Sequence, residues 1–169
     1  MIPIVIIHWI ADFILQTRWQ GNNKSKNNKA LLAHTVTYSL CYLVLMPWYG
    51  FWNTVTFIAI TFVCHTITDY FTSRGTGYCW GKVVKTKEDI AGREHIYDTL
   101  KDDPKWEFRD LYHKEMAELK AQGSSYEAWF WGIIGFDQGL HMIQLILTYE
   151  LLSPSAGSLF IKFLFNFLN

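Results

Sequence analysis

Long apolar runs, interrupted by isolated polar positions, dominate most of this chain. No Lys, Arg, Asp or Glu occurs between Lys29 and Asp69, a stretch about twice the roughly 20 residues that a helix needs to cross a bilayer. The aromatic segment 47–52, which contains a Pro and a Gly, divides this run near its middle. Such residues form turns at the level of lipid headgroups. The pattern predicts two antiparallel transmembrane helices, at about residues 29–47 and 52–72.

The first apolar stretch, residues 2–17, contains only three strongly polar positions, His8, Asp12 and Gln16. It has neither the basic start nor the small-residue cleavage site of a signal peptide, and Asp12 lies where the apolar region of such a peptide should be. We therefore predict a short membrane helix that is retained in the protein.

The C-terminal part of the chain predicts a fourth crossing and a further apolar segment. Residues 128–152 are apolar apart from a few ionisable and amide side chains, and they are long enough to span a bilayer. Residues 158–168 are too short to cross unaided and contain Lys162. This last segment is expected to lie in the interface, to re-enter the membrane, or to complete a tilted fifth segment.

Between the third and fourth predicted crossings, residues 73–127 are charged and lack long apolar runs. A capping pattern at Thr86 predicts a helix that runs to about Leu100. A second helix is predicted to begin before Pro104 and to end before Gly123. This amphipathic hairpin, which covers residues 74–127, either closes the mouth of the bundle, docks a protein partner, or is a solvated insertion.

The predicted fold is therefore an all-α polytopic membrane helix bundle with four spans, a further C-terminal segment and a helical hairpin insertion. Basic residues without acidic neighbours occupy the segment 18–29, and the positive-inside rule places this loop and the insertion in the cytoplasm. Residues 22–29 are expected to form a solvated loop; contact with lipid headgroups or with an anionic substrate is the alternative. The expected divisions are the first three transmembrane helices, the cytoplasmic insertion, the fourth helix and the C-terminal segment, at residues 1–72, 73–127, 128–152 and 153–169.

Composition narrows the class of protein further. The 169 residues include fifteen basic and fifteen acidic side chains, so the net charge is zero. Nucleic-acid binding needs a surplus of basic residues and is not expected. Three scattered Cys residues do not form a disulfide framework. An aromatic content of 17% argues against a disordered chain.

Ionisable residues inside the apolar stretches recur at one spacing. In three of the four predicted spans a His and an Asp are four positions apart, which places both on one helix face. Each such group costs about 2.5–3.5 kcal/mol near a bilayer centre, so they should face inward and pair. At 1.5 Å per residue all four spans bring these groups to about 7–13 Å from their cytoplasmic ends. The set is His8, Asp12, His34, His65, Asp69, Asp137 and His141.

Imidazole and carboxylate groups without thiolates are ligands for zinc, manganese or iron. Three Asp charges would repel one another in a low dielectric; one divalent ion leaves a charge of about −1, and two leave about +1, which a hydroxide or an anionic substrate can neutralise. We favour two ions over one, with zinc or manganese as the metal. Gln16 and Gln138 are predicted to orient the ligands. Interhelical ion pairs and hydrogen bonds without metal are the alternative for every one of these residues.

The spans contain three motifs, H-x3-D-F-x-L-Q at residues 8–16, H-x3-D at 65–69 and D-Q-x2-H at 137–141, with Lys24 ahead of the second span. These motifs resemble those of an uncharacterised domain family of small multi-pass membrane proteins from bacteria and their viruses. A more distant similarity links them to membrane-bound metal-dependent hydrolases. The resemblance implies a bacterial inner-membrane protein, and the compact size suits a bacteriophage product. Arg74 stands near the position where the family tends to carry Lys.

Three functions compete on this pattern. The first is a metal-dependent hydrolase that acts on a lipid or a lipid-linked phosphoester, since the predicted site lies in the cytoplasmic leaflet. The second is an ion or proton carrier, which would need to oligomerise because it has only four or five helices. The third is a membrane interaction protein that uses a structural metal and binds a host complex through residues 74–127.

Overall fold

The computed structural model describes residues 2–100 and 109–152, and these residues form helices joined by short connections, with no strand among them. This confirms the all-α fold class. The predicted segment 153–169 and the predicted helix start near Pro104 lie outside the described residues. The helices are α1 (Ile2–Trp9), α2 (Arg18–Asn23), α3 (Asn28–Leu40), α4 (Met46–Tyr49), α5 (Phe51–Leu100) and α6 (Arg109–Leu152).

A π-helical turn, Ile10–Ile14, extends α1. Its signature is the Leu15 amide, which donates to the Ile10 carbonyl five residues earlier, at 3.0 Å. Wide turns of this kind are frequent at functional sites. Here the turn contains Asp12, whose side chain is buried.

The helix α2 occupies part of the basic loop that the sequence analysis treated as solvated. At its start two residues cap each other reciprocally. The backbone N–H of Gln20 donates to Thr17 Oγ1 at 3.2 Å, and the backbone N–H of Thr17 donates to Gln20 Oε1 at 2.8 Å. The next helix, α3, is capped by Asn27 Oδ1, which accepts from the Lys29 amide at 2.8 Å. Two caps in eleven positions hold the intervening turn in a defined conformation.

Two of the predicted crossings lie in helices that are long and apolar enough to cross a membrane. One is the run Asn28–Tyr49, in which a 3₁₀ segment, Cys41–Leu45, joins α3 to α4, and the other is α5. The apolar helix Pro3–Ile14 is shorter, because the π turn is followed by a break. Within the described residues no other helix meets the same criteria, so the four-span arrangement stays a prediction.

The helix α5 is continuous over 50 residues, so the predicted break between 72 and 86 is wrong. Thr86 does not cap a helix; it is buried in the middle of α5, where its hydroxyl donates to the Lys82 carbonyl at 2.8 Å. Gly123 does not end a helix either, since α6 continues through it. A Cβ at Gly123 would lie 3.1 Å from the Thr86 methyl. The glycine therefore permits a close approach of two helices.

The chain divides into two compact units, Met1–Arg74 with Phe136–Asn169, and Gly75–Gly135. Both long helices contribute residues to each unit. The first unit has an apolar core formed by residues from α1, α3, α5 and α6 and the connecting turns, namely Ile4, Ala11, Tyr38, Tyr42, Leu45, Phe57 and Leu145. The second unit is a pair of helical segments in which the rings of Trp80 and Phe130 lie 5.1 Å apart.

Candidate metal centre

The seven predicted ligand residues all lie in the first unit. Six of them form three groups of possible ligands whose nitrogen and oxygen atoms lie within 4.8 Å of one another. The structure therefore brings α3, α5, α6 and the π turn together around one cluster of imidazoles and carboxylates. The groups are Asp12 with His34 and His65; His65 with Asp69 and His141; and Asp12 with Asp137 and His141.

The closest convergence is around His34. Its Nε2 atom lies 3.2 Å from Asp12 Oδ1, 3.3 Å from Asp69 Oδ2 and 3.1 Å from His65 Nε2. One ring N–H can donate to only one of these three atoms. All four side chains are almost completely excluded from solvent, so the arrangement concentrates electron-rich atoms in a region without water.

A second convergence surrounds His141. Its Nε2 atom lies 3.1 Å from Asp69 Oδ1 and 3.3 Å from Asp137 Oδ1. Asp69 thus directs one carboxylate oxygen towards His34 and the other towards His141. A carboxylate in this position can bridge two sites or hold two imidazoles in a fixed orientation.

These separations fit a metal centre. Tetrahedral ligands at 2.0–2.2 Å from a zinc ion lie about 3.3–3.6 Å from one another. The distances from His34 Nε2 to Asp12 Oδ1 and from His141 Nε2 to Asp137 Oδ1, 3.2 and 3.3 Å, are close to this range. In addition, Asp12 Oδ1 is buried and has no hydrogen-bond partner among the described residues, because its approach to His34 lacks hydrogen-bond geometry. A buried carboxylate oxygen of this kind is costly unless a cation or a donor satisfies it.

His8, the remaining predicted ligand, belongs to none of the three groups found among the described residues. Its Nε2 atom lies 3.0 Å from Gln138 Oε1, which can only accept, so Nε2 carries the hydrogen. In the neutral ring Nδ1 then accepts from the Tyr38 hydroxyl at 2.7 Å. His8 and Asp12 do share a buried location, but Gln138 lies between them in this network.

Gln138 connects three of the predicted residues. Its Nε2 group donates to Asp12 Oδ2 at 2.9 Å and to Asp137 Oδ2 at 3.1 Å, while its Oε1 accepts from His8. The side-chain amide of Gln138 therefore holds two carboxylates in position, while its role in orienting metal ligands stays a prediction. Gln16 differs, because its Oε1 is buried without a partner among the described residues, and its Nε2 would lie 2.8 Å from a Cβ at Gly21.

Sequence reasoning missed the role of Lys24, which it assigned to a solvated loop. The caps around α2 bring this residue to the cluster, where its Nζ donates to Asp69 Oδ2 at 2.8 Å. Burial by itself would lower the pKa of Lys24, but the carboxylates of Asp69 and Asp12 outweigh it and raise the pKa above its usual value. The signal that could have identified Lys24 was the charge balance, because three carboxylates in an apolar interior need cations near them.

Two hydroxyl side chains were also missed. The Tyr38 ring stacks on the His65 ring with centroids 3.7 Å apart and an angle of 7°, which fixes the plane of that imidazole. The Thr72 hydroxyl lies 2.5 Å from Asp137 Oδ1 and 2.9 Å from the Thr68 carbonyl. The sequence gives no signal for either role, since Tyr and Thr are common in apolar helices.

Without a metal, the three imidazoles form a chain of hydrogen bonds with one consistent direction. His141 Nε2 donates to Asp69 Oδ1, so its Nδ1 is free to accept from His65 Nδ1 at 3.2 Å. His65 Nε2 is then the acceptor for His34 Nε2 at 3.1 Å. The same atoms can therefore either coordinate a cation or pass a proton along the chain.

The family model described as "Protein of unknown function (DUF3307)" matches residues 1–90. The chain belongs to this family. The match with DUF3307 includes the π turn, Lys24, His34 and the site residues of α5, whereas Asp137, Gln138 and His141 lie beyond it. Neither the curated proteins nor the solved structures give a match to the chain. Membership confirms the predicted uncharacterised domain family; the family motifs, the phage origin and the relationship to hydrolases stay predictions.

Proposed function

We propose that this protein is a membrane-embedded, metal-dependent hydrolase that acts on a lipid or a lipid-linked phosphoester. The observation that carries the proposal is the convergence of six His and Asp side chains from four parts of the chain, at separations close to those of metal ligands. Metal sites built between the helices of a bundle are a common solution in proteins. Zinc and manganese both suit this donor set.

The distribution of polar and apolar side chains supports a membrane location. In the first unit Trp9 is 61% exposed and Phe71 is 68% exposed, whereas His65 and Asp69 are at most 1% exposed. A water-soluble fold normally shows the opposite arrangement. Exposed apolar side chains are favourable where they contact the acyl chains of lipids. The presence of two helices that are long and apolar enough to cross a membrane agrees with such a location. The proposal places the four spans in the bacterial inner membrane.

The edge of the cluster carries positive charge, which suits an anionic substrate. Lys24 contacts the cluster through its ammonium group, and its side chain is 19% exposed, so this residue lies between the cluster and the surface. Nearby on the first unit, Arg74 donates to Asn28 Oδ1 at 2.6 Å and lies 3.6 Å from the centroid of the Tyr70 ring. A phosphate group that enters past Lys24 would meet cations before it meets the carboxylates.

The reaction proposed is the hydrolysis of a phosphoester, in which water adds to phosphorus and the P–O bond to the lipid alcohol breaks. A divalent ion would lower the pKa of its bound water towards about 7 and polarise the phosphoryl group. Asp137 is the least buried of the three carboxylates, which makes it the candidate to receive the proton from water. Gln138 and Thr72 hold its two oxygens in position.

The test uses purified protein in vesicles of phosphatidylethanolamine, phosphatidylglycerol and phosphatidic acid, loaded with Zn²⁺ or Mn²⁺. We expect release of phosphate or of a phosphorylated headgroup, abolished by a chelator and restored by metal. The variant Asp137→Asn should lose at least about 100-fold in rate, since a general base contributes about 10²–10⁴-fold.

A matched control is Asp89→Asn, the same change at an exposed position of α5, which should leave the rate unchanged. Protein that holds less than one metal ion per chain, or a rate that survives chelation, would contradict the proposal. The membrane location is tested separately by extraction: the protein should stay with membranes in alkaline carbonate and leave them only in detergent.

A second candidate function is a proton carrier, because the ordered chain from His34 through His65 to His141 ends on a carboxylate. The side chains of Gln144, Thr61 and Thr148 form a separate, partly buried set of hydrogen bonds on the same two helices, and Gln144 Oε1 has no partner among the described residues. Proton flux into liposomes without turnover of any lipid, insensitive to chelation, would favour this reading over hydrolysis.

A further inference from the structure

The charge of the cluster argues for one metal ion once Lys24 is counted. The charged groups in contact within the cluster are the carboxylates of Asp12, Asp69 and Asp137 and the ammonium of Lys24. When the imidazoles are neutral, these groups have a net charge of −2. One divalent ion neutralises this set. Two ions would leave two positive charges in a buried, low-dielectric site. The charge count made from the sequence left this ammonium out, and the preference for two ions rested also on seven candidate ligands, more than one tetrahedral ion takes.

The two halves of the cluster differ in their contact with Lys24. On the half that we name the His34 side, Asp69 Oδ2 lies 2.8 Å from Lys24 Nζ and 3.3 Å from His34 Nε2. On the other half, the His141 side, Asp69 Oδ1 lies 3.1 Å from His141 Nε2. An ion on the His34 side, for which Asp12, His34 and His65 are the candidate ligands, would lie close to the ammonium, which repels it. An ion on the His141 side uses the other oxygen of Asp69.

The position of Lys24 is built into the backbone. The Lys24 amide donates to the Gln20 carbonyl at 2.9 Å, and the Lys24 carbonyl lies 3.5 Å from the Ser73 hydroxyl of α5. Gln20 is itself part of the cap of α2 and lies 3.5 Å from the Thr37 hydroxyl of α3. The ammonium group is therefore supplied by a segment that is fixed on both neighbouring helices.

We infer that Lys24 takes the place of a second metal ion: the centre holds one divalent ion on the His141 side, and the ammonium group keeps the His34 side free of metal. This inference rests on the metal centre proposed above. It assigns Lys24 as a positioning residue that sets the metal stoichiometry. It also explains why Asp69 presents its two oxygens to two different cations.

The experiment measures how much Mn²⁺ the purified protein binds, by elemental analysis and by electron paramagnetic resonance. We expect one ion per chain in the natural protein, with the spectrum of an isolated Mn²⁺. In Lys24→Met we expect two ions per chain and a spin-coupled spectrum, since the Asp69 carboxylate can then bridge two ions about 3.5–4 Å apart. Adding His34→Ala to Lys24→Met should return the count to one.

Two controls keep the result interpretable. Lys26→Met makes the same change at an exposed position two residues along the loop and should bind one ion. Lys24→Arg keeps the charge and should also bind one ion; a second ion in this variant overturns the inference. If Lys24→Met does not fold, as judged by circular dichroism and gel filtration, Lys24→Gln replaces it with the same expectation.

The outcomes separate this inference from the proposed hydrolase. Two ions in the natural protein, or an unchanged count in both neutral Lys24 variants, overturns the inference alone. No bound metal in any variant overturns the metal centre and the inference with it. The expected counts without any lipid hydrolysis support the inference and overturn the proposed activity.

Discussion

Both long helices contribute to the two compact units, yet among the described residues buried His and Asp side chains occur only in the first unit. In the first unit α5 contributes His65 and Asp69 to the interior. In the second unit the same helix buries Cys79 and Val83, and its charged side chains form pairs near the surface, such as Arg93 with Glu115. One helix thus changes its polarity pattern along its length.

The difference shows which interactions each unit depends on. The second unit buries Cys79, Val83 and Met116, and none of its described Asp, Glu, Lys and Arg side chains is buried. In the first unit, burial of the polar groups contributes to the free energy of folding only if these groups form hydrogen bonds or ion pairs with one another, because each unpaired buried charge is costly. Its stability should therefore depend on the cluster, whereas that of the second unit should depend on apolar contacts and little on its ion pairs.

The largest expected effect comes from Asp69→Asn in the first unit. This change removes the buried carboxylate that contacts Lys24, His34 and His141 and leaves the Lys24 ammonium without this partner. Breaking a buried charge pair costs about 3–5 kcal/mol. We expect a loss of that order in the free energy of unfolding in detergent, together with loss of bound metal by elemental analysis.

The control for this prediction is Asp89→Asn, an exposed position on the same helix, which should change the free energy of unfolding by less than about 0.5 kcal/mol. If both variants lose the same stability, the cluster does not hold the first unit together, and the contrast between the two units disappears.

A smaller effect is expected from Gln138→Leu, which keeps all candidate ligands but removes the amide that orients Asp12 and Asp137. Loss of such a supporting hydrogen bond typically lowers metal affinity by about 10–100-fold. A competition titration with a chromophoric chelator measures this. Gln122→Leu, an exposed Gln in the second unit, should leave the affinity unchanged, and an equal loss there would show that the effect is not local.

The smallest effect is expected in the second unit, from Arg93→Ala. Arg93 and Glu115 form an ion pair in which both side chains are 42% exposed. Exposed pairs contribute about 0–1 kcal/mol, and salt screens them. Thermal unfolding at low and high salt should show a loss within this range that shrinks with added salt, with metal content unchanged. A loss comparable to that of Asp69→Asn would reverse the comparison.

The helical class and most of the candidate site were predictable because both depend on local pattern. His65 and Asp69 are four residues apart on one helix, so their common face follows from helix geometry alone. The continuity of α5 was not predictable in the same way. Thr86 has the same local signals whether it begins a helix or lies within one, and its contact with Gly123 arises from a residue on another helix.

The amino-acid sequence by itself determined that this protein is helical, that it has long apolar segments, and that His and Asp recur within them at one spacing. Only the tertiary structure decided which of these groups meet: His8 turns to Tyr38 and Gln138, while Lys24 joins the carboxylates. The reason is that spacing fixes a helix face, but a site also needs the relative rotation and height of several helices. Those are set by packing between residues far apart in the chain.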